Sequence, residues 1–317
     1  MRDSNCNILL SVEMITYKHE DYIKQAIEGV LLQETNFDFE LIIADDCSPD
    51  DTAKVVEDII KNHPKGYRIK YFRQARNIGM NANADFAMAN CKGKYIAICE
   101  GDDYWTDPLK LQKQINFLET NLDFGLVHTD CEILNQSTQK IESSRKKIGV
   151  NEEHFKFLLR GDYVIETLTT CFRKDLYLKY MEEIQPSSKK WLMGDLPMWL
   201  YISQFSKIYY INEVTSVYRV LEESASQSKN INKLFDFEDS ITDMKMFFLE
   251  KYAKNETGIK SRIHSFSLYR KLVANIALKG SSIQFLDLLF QFYAKNKDLN
   301  LFLGSFRQIF KKSGILK

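Results

Sequence analysis

Strand-like and helix-like segments alternate over residues 1–130, and this alternation is compatible with few folds. Five runs rich in aliphatic residues have the length of buried strands, at 8–15, 39–44, 68–72, 95–99 and 125–129. Between them, apolar residues recur every three or four positions, which predicts helices over about 22–31, 48–62, 81–90 and 108–119. Strands separated by such helices form a mainly parallel sheet through right-handed crossovers. The pattern therefore predicts an α/β, Rossmann-like fold with flanking helices.

The rest of the 317-residue chain is less regular. Helices are predicted over 152–159 and 197–205, and strand-like runs over 163–172, 208–211 and 214–218. From about residue 227 the pattern becomes helical, and the runs 282–294 and 299–312 carry large apolar faces. We therefore expect one domain over 1–226, with halves at about 1–130 and 131–226, and a helical C-terminal extension over 227–317.

Charge and cysteine content exclude several classes of protein. Lys and Arg number 43 and Asp and Glu number 43, so the net charge is zero, which argues against a nucleic-acid partner. The six cysteines show neither C-x-x-C spacing nor the clustering of a disulfide framework or zinc site. No apolar stretch approaches the roughly 20 residues that a membrane-spanning helix needs. We expect a soluble protein of the reducing cytoplasm.

Acidic residues follow two of the predicted strands directly. In an open parallel sheet, ligands bind beyond the carboxyl ends of the strands. Asp102 and Asp103 come after the strand at 95–99, and two carboxylates there suit a hard divalent cation that also binds phosphates. Asp45 and Asp46 follow the strand at 39–44. The alternatives are surface acids in a turn for the first pair and helix capping for the second.

A further carboxylate, Asp195, lies just before the helix predicted over 197–205, in the run Gly194-Asp195-Leu196-Pro197. Capping of that helix, with Pro197 in its first turn, would by itself explain this residue. A catalytic role as a general base is the other interpretation.

Taken together, these motifs resemble the family-2 inverting glycosyltransferases of the GT-A fold, over about residues 7–226. The resemblance is carried by six motifs in the family's order, at 15–23, 41–52, 76–79, 92–103, 194–195 and 217–219. Three positions depart from the family's pattern: Lys18 replaces a frequent Asn, Cys47 replaces Gly, and Leu221-Glu222-Glu223 stands where many members carry a His that joins the metal site.

The resemblance implies a role for each matching residue. Residues implied to hold the nucleotide sugar are Ile15, Thr16, Tyr17, Asp45, Asp46, Arg76, Asn77 and Asp102. Asp46 would accept the ring N–H of the base, Asp103 with Asp102 would hold Mn²⁺ or Mg²⁺ against the diphosphate, and Asp195 would be the general base. Trp105 and Arg219 are candidate contacts of the diphosphate or acceptor. A core tryptophan and a strand-end ion pair are the alternatives for these two.

The expected function is therefore metal-assisted transfer of a sugar from a nucleotide donor, UDP-sugar favoured, to a glycan or glycolipid in polysaccharide or cell-envelope assembly. A non-catalytic nucleotide-sugar-binding module is the first alternative. A sugar nucleotidyltransferase is less compatible, because residues 14–19 lack the Gly-rich basic loop such an enzyme needs. The C-terminal helices would pack on the domain, form a homodimer or lie on the inner face of the membrane, since the chain end is basic at 307, 311, 312 and 317.

Overall fold

A computed structural model describes residues 8–143, 153–221, 228–278 and 280–296. Its strands are β1 (Leu10–Thr16), β2 (Phe39–Asp45), β3 (Ile69–Arg73), β4 (Tyr95–Ile98), β5 (Tyr104–Trp105), β6 (Phe124–Asn135), β7 (Lys140–Ser143), β8 (Thr170–Arg173) and β9 (Lys207–Val220). Its α-helices are α1 (Ile23–Leu31), α2 (Thr52–Asn62), α3 (Met80–Asn90), α4 (Lys110–Thr120), α5 (His154–Arg160), α6 (Lys174–Ile184), α7 (Asp195–Phe205), α8 (Ile231–Tyr252), α9 (Thr257–Ala277) and α10 (Ser282–Asn296).

The strands form one sheet in the order β3-β2-β1-β4-β8-β6-β9-β5, with β7 paired to β6 outside this path. The first four strands are parallel, as the alternation of strands and helices predicts. The second half is mixed, because β8 runs antiparallel to both of its neighbours, β4 and β6. The predicted α/β class is confirmed. The parallel strands β1–β4 come from the part of the sequence in which predicted strands and helices alternate regularly.

Burial on both faces of the sheet explains the apolar run at 41–44 in β2. Every residue of β2 is buried, as expected for a parallel strand covered on both faces. Leu10, Val12 and Met14 of β1 belong to the same hydrophobic core as Ile27 of α1 and Ile115 of α4. The sheet core is therefore assembled from the segments whose periodicity is clearest in the sequence.

Four elements differ from the sequence predictions. Helix α6 and the short strands β5 and β7 lie in segments where the sequence pattern predicts no separate element. The two strands predicted at 208–211 and 214–218 form one strand, β9. Its pairing with β6 contains register shifts, so that Tyr210 faces His128 whereas Val214 faces Asp130. The extra residues on β9 interrupt its periodicity, which explains why one strand resembles two in the sequence.

The chain divides into two compact units, which comprise residues 1–152, 165–187 and 205–220, and residues 153–164, 188–204 and 221–317. The first contains the sheet with α1–α4 and α6, and the second contains α5, α8, α9, α10 and most of α7. The boundary predicted at residue 226 stays a prediction, since 222–227 lie outside the described residues, as does the run 299–312. Among the described helices, none is long and apolar enough to cross a membrane.

A buried carboxyl group interrupts the apolar content of β1. Glu13 is 2% exposed, and its Oε1 has no hydrogen-bond partner among the described residues. Burial raises the pKa of Glu13 to about 8. The carboxyl group is therefore neutral at neutral pH in the folded protein, because the charged form would lose its hydration without gaining a partner.

We expect the free energy of unfolding to fall as pH rises from 4.5, the ordinary pKa of Glu, to about 8, the pKa of Glu13 in the folded protein. In this window the folded state keeps a proton that the unfolded state has released, so stability decreases by about 1.4 kcal/mol per pH unit. Glu13→Gln replaces the neutral acid by a neutral amide, and its melting temperature should exceed that of the wild type increasingly toward pH 8. The exposed Glu28→Gln is the control. Equal pH profiles for wild type and Glu13→Gln would contradict the assignment.

Candidate active site

The loops after β1, β2 and β4 meet at one edge of the sheet, because β1 lies between the other two strands. The backbone N–H of Asp46 donates to the carbonyl of Thr16 at 3.0 Å, and that of Gly101 donates to the carbonyl of Ile15 at 3.0 Å. The structure therefore brings together the opening motif and both acidic pairs that the sequence analysis selected. Tyr17, next along the same loop, is 39% exposed.

Asp103 is hydrogen-bonded to a residue 116 positions away in the chain. Its Oδ1 accepts the backbone N–H of Arg219, near the end of β9, at 2.7 Å. The side chain of Asp103 is 2% exposed. Burial raises the pKa of Asp103 well above its ordinary value, and the neighbouring Asp102 raises it further, while Arg219 acts in the opposite direction. A cation at this carboxylate would relieve the cost of its burial beside a second acid.

The guanidinium of Arg219 binds the same turn from the other side. Its Nε donates to the carbonyl of Asp102 at 2.7 Å, and its terminal nitrogens donate to Gln136 and Gln25 at 2.8 Å each. The rings of Tyr22 and Tyr104 lie 4.8 and 5.2 Å from the guanidinium carbon. Because these donors are directed at protein acceptors, the geometry favours a positioning role for Arg219. Direct contact of Arg219 with a diphosphate stays a prediction.

Asp102 is the more accessible of the two acids. Its side chain is 25% exposed, and its Oδ2 lies 4.0 Å from Nε2 of His19. The other ring nitrogen of His19 is 3.2 Å from Oγ1 of Thr16. Burial lowers the pKa of His19, although Asp102 acts to raise it. His19 thus links the loop after β1 to the acidic turn after β4.

Glycine is required immediately before these acids. A Cβ at Gly101 would lie 2.8 Å from Oγ1 of Thr16 and 2.9 Å from both Nδ1 of His19 and Cδ1 of Ile23. These distances are below ordinary contact, so the absence of a side chain lets the loop after β1 pack directly on the acidic turn.

Gly101→Ala is expected to separate the two loops and to destabilise the protein by about 1–3 kcal/mol, the usual cost of overpacking. Both the melting temperature and the affinity for nucleotide in the presence of Mn²⁺ should fall. Gly258→Ala is a suitable control because a Cβ there would meet nothing within 4 Å. Unchanged stability and nucleotide affinity in Gly101→Ala would contradict the role assigned to this close contact.

Asp45 and Asp46 have different surroundings although they are adjacent. Asp45 is fully buried and accepts hydrogen bonds from the N–H and hydroxyl of Ser48 at 2.8 and 2.6 Å and from the hydroxyl of Tyr71 at 2.7 Å. Asp46 accepts the backbone N–H groups of Ile78 and Gly79 at 2.6 and 2.9 Å. Asp45 therefore stabilises its own loop, whereas Asp46 ties that loop to the segment of Arg76 and Asn77.

Two exposed residues complete this side of the site. Arg76 and Asn77 are exposed on the loop that leads from β3 to α3. Cys47, which replaces the family's usual glycine, has a φ of +60°. This left-handed conformation is the one that glycine adopts without strain, which explains the residue preference that the resemblance implies. The nucleotide-binding roles of Asp45, Asp46, Arg76 and Asn77 stay predictions.

Trp105 lies in the hydrophobic core. It is 2% exposed, and its indole N–H donates to the carbonyl of Leu168 at 2.8 Å. The ammonium of Lys110 lies 4.2 Å from its ring centroid. This environment favours the core alternative for Trp105 over contact with a diphosphate or acceptor, a contact that no observation tests.

Asp195 is the first residue of α7, in the second compact unit. Its Oδ1 accepts the backbone N–H of Leu196 at 2.7 Å. A carboxylate at this position is stabilised in its charged form by the positive end of the helix dipole. The structure thus provides the helix-terminal placement that the sequence predicts, and the role of general base stays a prediction.

The donor atoms of Asp102 and Asp103 fit a hard divalent cation. Two carboxylates on one turn suit Mg²⁺ or Mn²⁺, which leave positions for water and for phosphate oxygens. Within residues 8–143, 153–221, 228–278 and 280–296, no group of three or more His, Cys, Asp or Glu side chains is placed to hold a metal ion. Glu222 and Glu223, at the position of the family's histidine, lie outside the described residues.

Several residues that support the site are not among the candidates that the sequence predicts. His19, Tyr22, Gln25 and Gln136 all contact Arg219 or Asp102. Tyr22 and Gln25 are three positions apart at the start of α1 and therefore lie on one helix face. That spacing could have identified Tyr22 and Gln25 as neighbours on α1. Nothing in the sequence around Gln136, beyond the end of β6, indicates its contact with Arg219.

The sequence of this chain is similar to those of known proteins. A sequence profile described as glycosyl transferase family 2 matches residues 11–176. An uncharacterized glycosyltransferase of Methanocaldococcus jannaschii is 30% identical over 216 residues, 67% of this chain and 71% of that protein. An uncharacterized protein of Mycobacterium tuberculosis is 44% identical over 110 residues, which cover 35% of this chain and 31% of the relative.

Two solved structures share the fold at low sequence identity. TarS of S. aureus, in complex with UDP-GlcNAc, has a TM-score of 0.64 at 17% identity and is matched over 91% of this chain and 81% of that one. The mannosyltransferase PcManGT from Pyrobaculum calidifontis, in complex with GDP-Man and Mn²⁺, has a TM-score of 0.55 at 13% identity, over 96% and 86% of the two chains. The predicted GT-A fold is thereby confirmed. The profile covers more than half of the chain, and the protein therefore belongs to glycosyl transferase family 2.

Proposed function

We propose that this protein is an inverting glycosyltransferase that moves a sugar from a nucleoside diphosphate, a UDP-sugar in the favoured case, to a hydroxyl group of a glycan or lipid-linked acceptor. The observation that carries the proposal is the buried Asp103 on the turn after β4, held by Arg219 beside the loops of Thr16 and Asp46. The donors bound by the two structural neighbours, UDP-GlcNAc and GDP-Man, support a nucleotide sugar as substrate.

On this proposal, different loops bind different parts of the nucleotide-sugar donor. Tyr17 and Asp46 would bind the base, with Arg76 and Asn77 beside the nucleotide. Asp102 would bind the ribose and share the cation with Asp103, and Arg219 would hold their turn in place. When bound, Mn²⁺ or Mg²⁺ would offset the negative charge that develops on the departing diphosphate. The Mn²⁺ bound to PcManGT supports this choice of metal.

The proposed chemistry is a single displacement. The oxygen of the acceptor hydroxyl forms a bond to the anomeric carbon as the bond from that carbon to the nucleoside diphosphate breaks. The diphosphate departs with the bonding electrons, and the hydroxyl proton passes to the carboxylate of Asp195 as general base. Attack from the face opposite the leaving group inverts the configuration of the anomeric carbon. Use of the product in polysaccharide or cell-envelope assembly is part of this proposal.

A thermal-shift panel tests the donor class first. UDP-, dTDP-, GDP- and CMP-sugars are each added with and without Mn²⁺, and a donor at one hundred times its Kd should stabilise the fold by about 2.7 kcal/mol. We expect a metal-dependent shift with UDP-sugars. A shift without any subsequent transfer to glycan or glycolipid acceptors would favour a non-catalytic binding module, and no shift with any of the four would contradict the assigned donor site.

A further inference from the structure

The residues just before α7 lie against helix α8. The backbone N–H of Leu192 donates to the hydroxyl of Ser240 at 2.8 Å. The indole of Trp191 contacts the rings of Phe247 and Phe248, whose centroids are 5.4 and 6.0 Å from its own. One polar and two aromatic contacts thus join the loop that leads into α7 to a helix much further along the chain.

The three contact residues of α8 share one face of the helix, here named the α8 face. Phe247 and Phe248 follow Ser240 by seven and eight positions, which is about two helical turns. Ser240 is 9% exposed and Phe248 is fully buried. The hydroxyl of Ser240 accepts a backbone N–H that would lose its partner beside an apolar side chain. It therefore determines which residue of the loop lies at this point of the helix.

The α8 face supports the chain on one side of Asp195. Only Met193 and Gly194 separate Leu192 from Asp195, the first residue of α7. After Asp195, the chain is held by the buried side chains Pro197–Ile202 of α7. Before it, residues 189–194 form neither helix nor strand, so contacts outside the loop must hold them in place. The bond to Ser240 and the rings beside Trp191 supply such contacts.

We propose that the α8 face positions the carboxylate of Asp195 for the transfer step, on the premise that Asp195 is the general base of the proposed function. A base must lie within hydrogen-bond reach of the hydroxyl from which it takes the proton. A displacement of about 1 Å costs about 10²-fold in rate. Donor binding should not depend on these contacts, because Asp46, Asp102 and Asp103 belong to the other compact unit. Ser240 is then a positioning residue in the helical extension.

Ser240→Ala tests the proposal. It removes the acceptor of the Leu192 N–H and should lower the turnover of sugar transfer about tenfold, with donor affinity in the presence of Mn²⁺ unchanged. Alanine is a strong helix former, so α8 should fold normally and the melting temperature should stay close to that of the wild type. Thr242→Ala is the matched control. The hydroxyl of Thr242 donates to the carbonyl of Glu238 within α8 at 2.8 Å, and its removal should leave turnover unchanged.

A double variant distinguishes positioning from general destabilisation. If Ser240 acts through Asp195, adding Ser240→Ala to Asp195→Asn should not lower the residual transfer any further. Independent, multiplied losses in the double variant would overturn the proposal. So would wild-type turnover in Ser240→Ala, or an equal loss of donor affinity and turnover. Full transfer by Asp195→Asn alone would instead refute the assigned base, and this inference with it.

The position of the loop can also be measured without any sugar transfer. Trp191 is half-buried, whereas Trp105 and Trp199 are 2% and 1% exposed, so acrylamide should quench mainly the fluorescence of Trp191. Ser240→Ala should raise the quenching constant about twofold as the loop opens locally, and Thr242→Ala should not change it. An unchanged constant in Ser240→Ala would show that the loop keeps its position without this hydrogen bond, which would overturn the proposal whatever the activity of the protein.

Discussion

Asp195→Asn is expected to leave donor affinity nearly unchanged and to lower the rate of sugar transfer by about 10²–10⁴-fold, the usual contribution of a general base. Asn keeps the size of the side chain and an oxygen that can accept the N–H of Leu196, so the start of α7 should stay intact. The amide cannot take a proton from the acceptor hydroxyl. Donor affinity is measured by calorimetry with Mn²⁺, and transfer by release of nucleoside diphosphate in the presence of acceptor.

Asp195→Ser is the control for this prediction. Serine is a good residue for the start of a helix but has no carboxylate, so a merely structural Asp195 would be replaced by Ser with little loss of transfer. We expect Ser to be as inactive as Asn, with a melting temperature near that of the wild type. If donor affinity and turnover fall by the same factor in Asp195→Asn, the residue supports the structure and another base must be sought.

Asp103→Asn should weaken metal-dependent binding of the donor by about tenfold or more, equivalent to about 1.4 kcal/mol or more. The amide oxygen can still accept the N–H of Arg219, so the turn after β4 should keep its geometry. The negative charge that would bind the cation is removed. Titration of UDP with and without Mn²⁺ measures the effect, which should be confined to the affinity measured in the presence of the metal.

Two further variants test whether the effect is specific to Asp103. Asp123→Asn removes an exposed acid at the other end of the sheet, where it pairs with Lys207 at 2.9 Å, and should leave the Mn²⁺ dependence unchanged. Asp102→Asn should give an intermediate loss, since Asp102 is assigned a shared role at the cation and the ribose. Retention of full Mn²⁺ dependence in Asp103→Asn would remove this residue from the metal site.

The local elements and the acidic turns were predictable because their signals are short in range. Strand β2 contains the apolar run 41–44, and helix α1 repeats its buried residues every three or four positions, so a window of about ten residues is enough to identify either. The position of Asp46 and Asp103 follows from the rule that parallel strands place their carboxyl ends at one edge. Resemblance to a known family then supplied the roles, which no local pattern contains.

Contacts between residues far apart in the chain could not be predicted from such short-range patterns. Strand β8 lies between β4 and β6, although it follows both in sequence, and it turns the second half of the sheet into a mixed arrangement. Trp105, in a motif beside two acids, is a core residue whose indole binds Leu168, 63 positions away. The spacing of apolar residues in these two segments does not indicate which distant residues they contact. Those contacts depend on which surfaces of the rest of the chain are complementary once the sheet has formed.

The α/β class, the parallel strands β1 to β4 and the acidic turns at their carboxyl ends follow from local sequence patterns, because burial imposes a period on neighbouring residues. Three other features are visible only in the folded chain: Arg219 holds the turn of Asp102 and Asp103, Asp45 is used within its own loop, and α10 leaves three apolar side chains exposed. These features depend on contacts between residues far apart in the chain. Such contacts exist only once the backbone has brought the residues together.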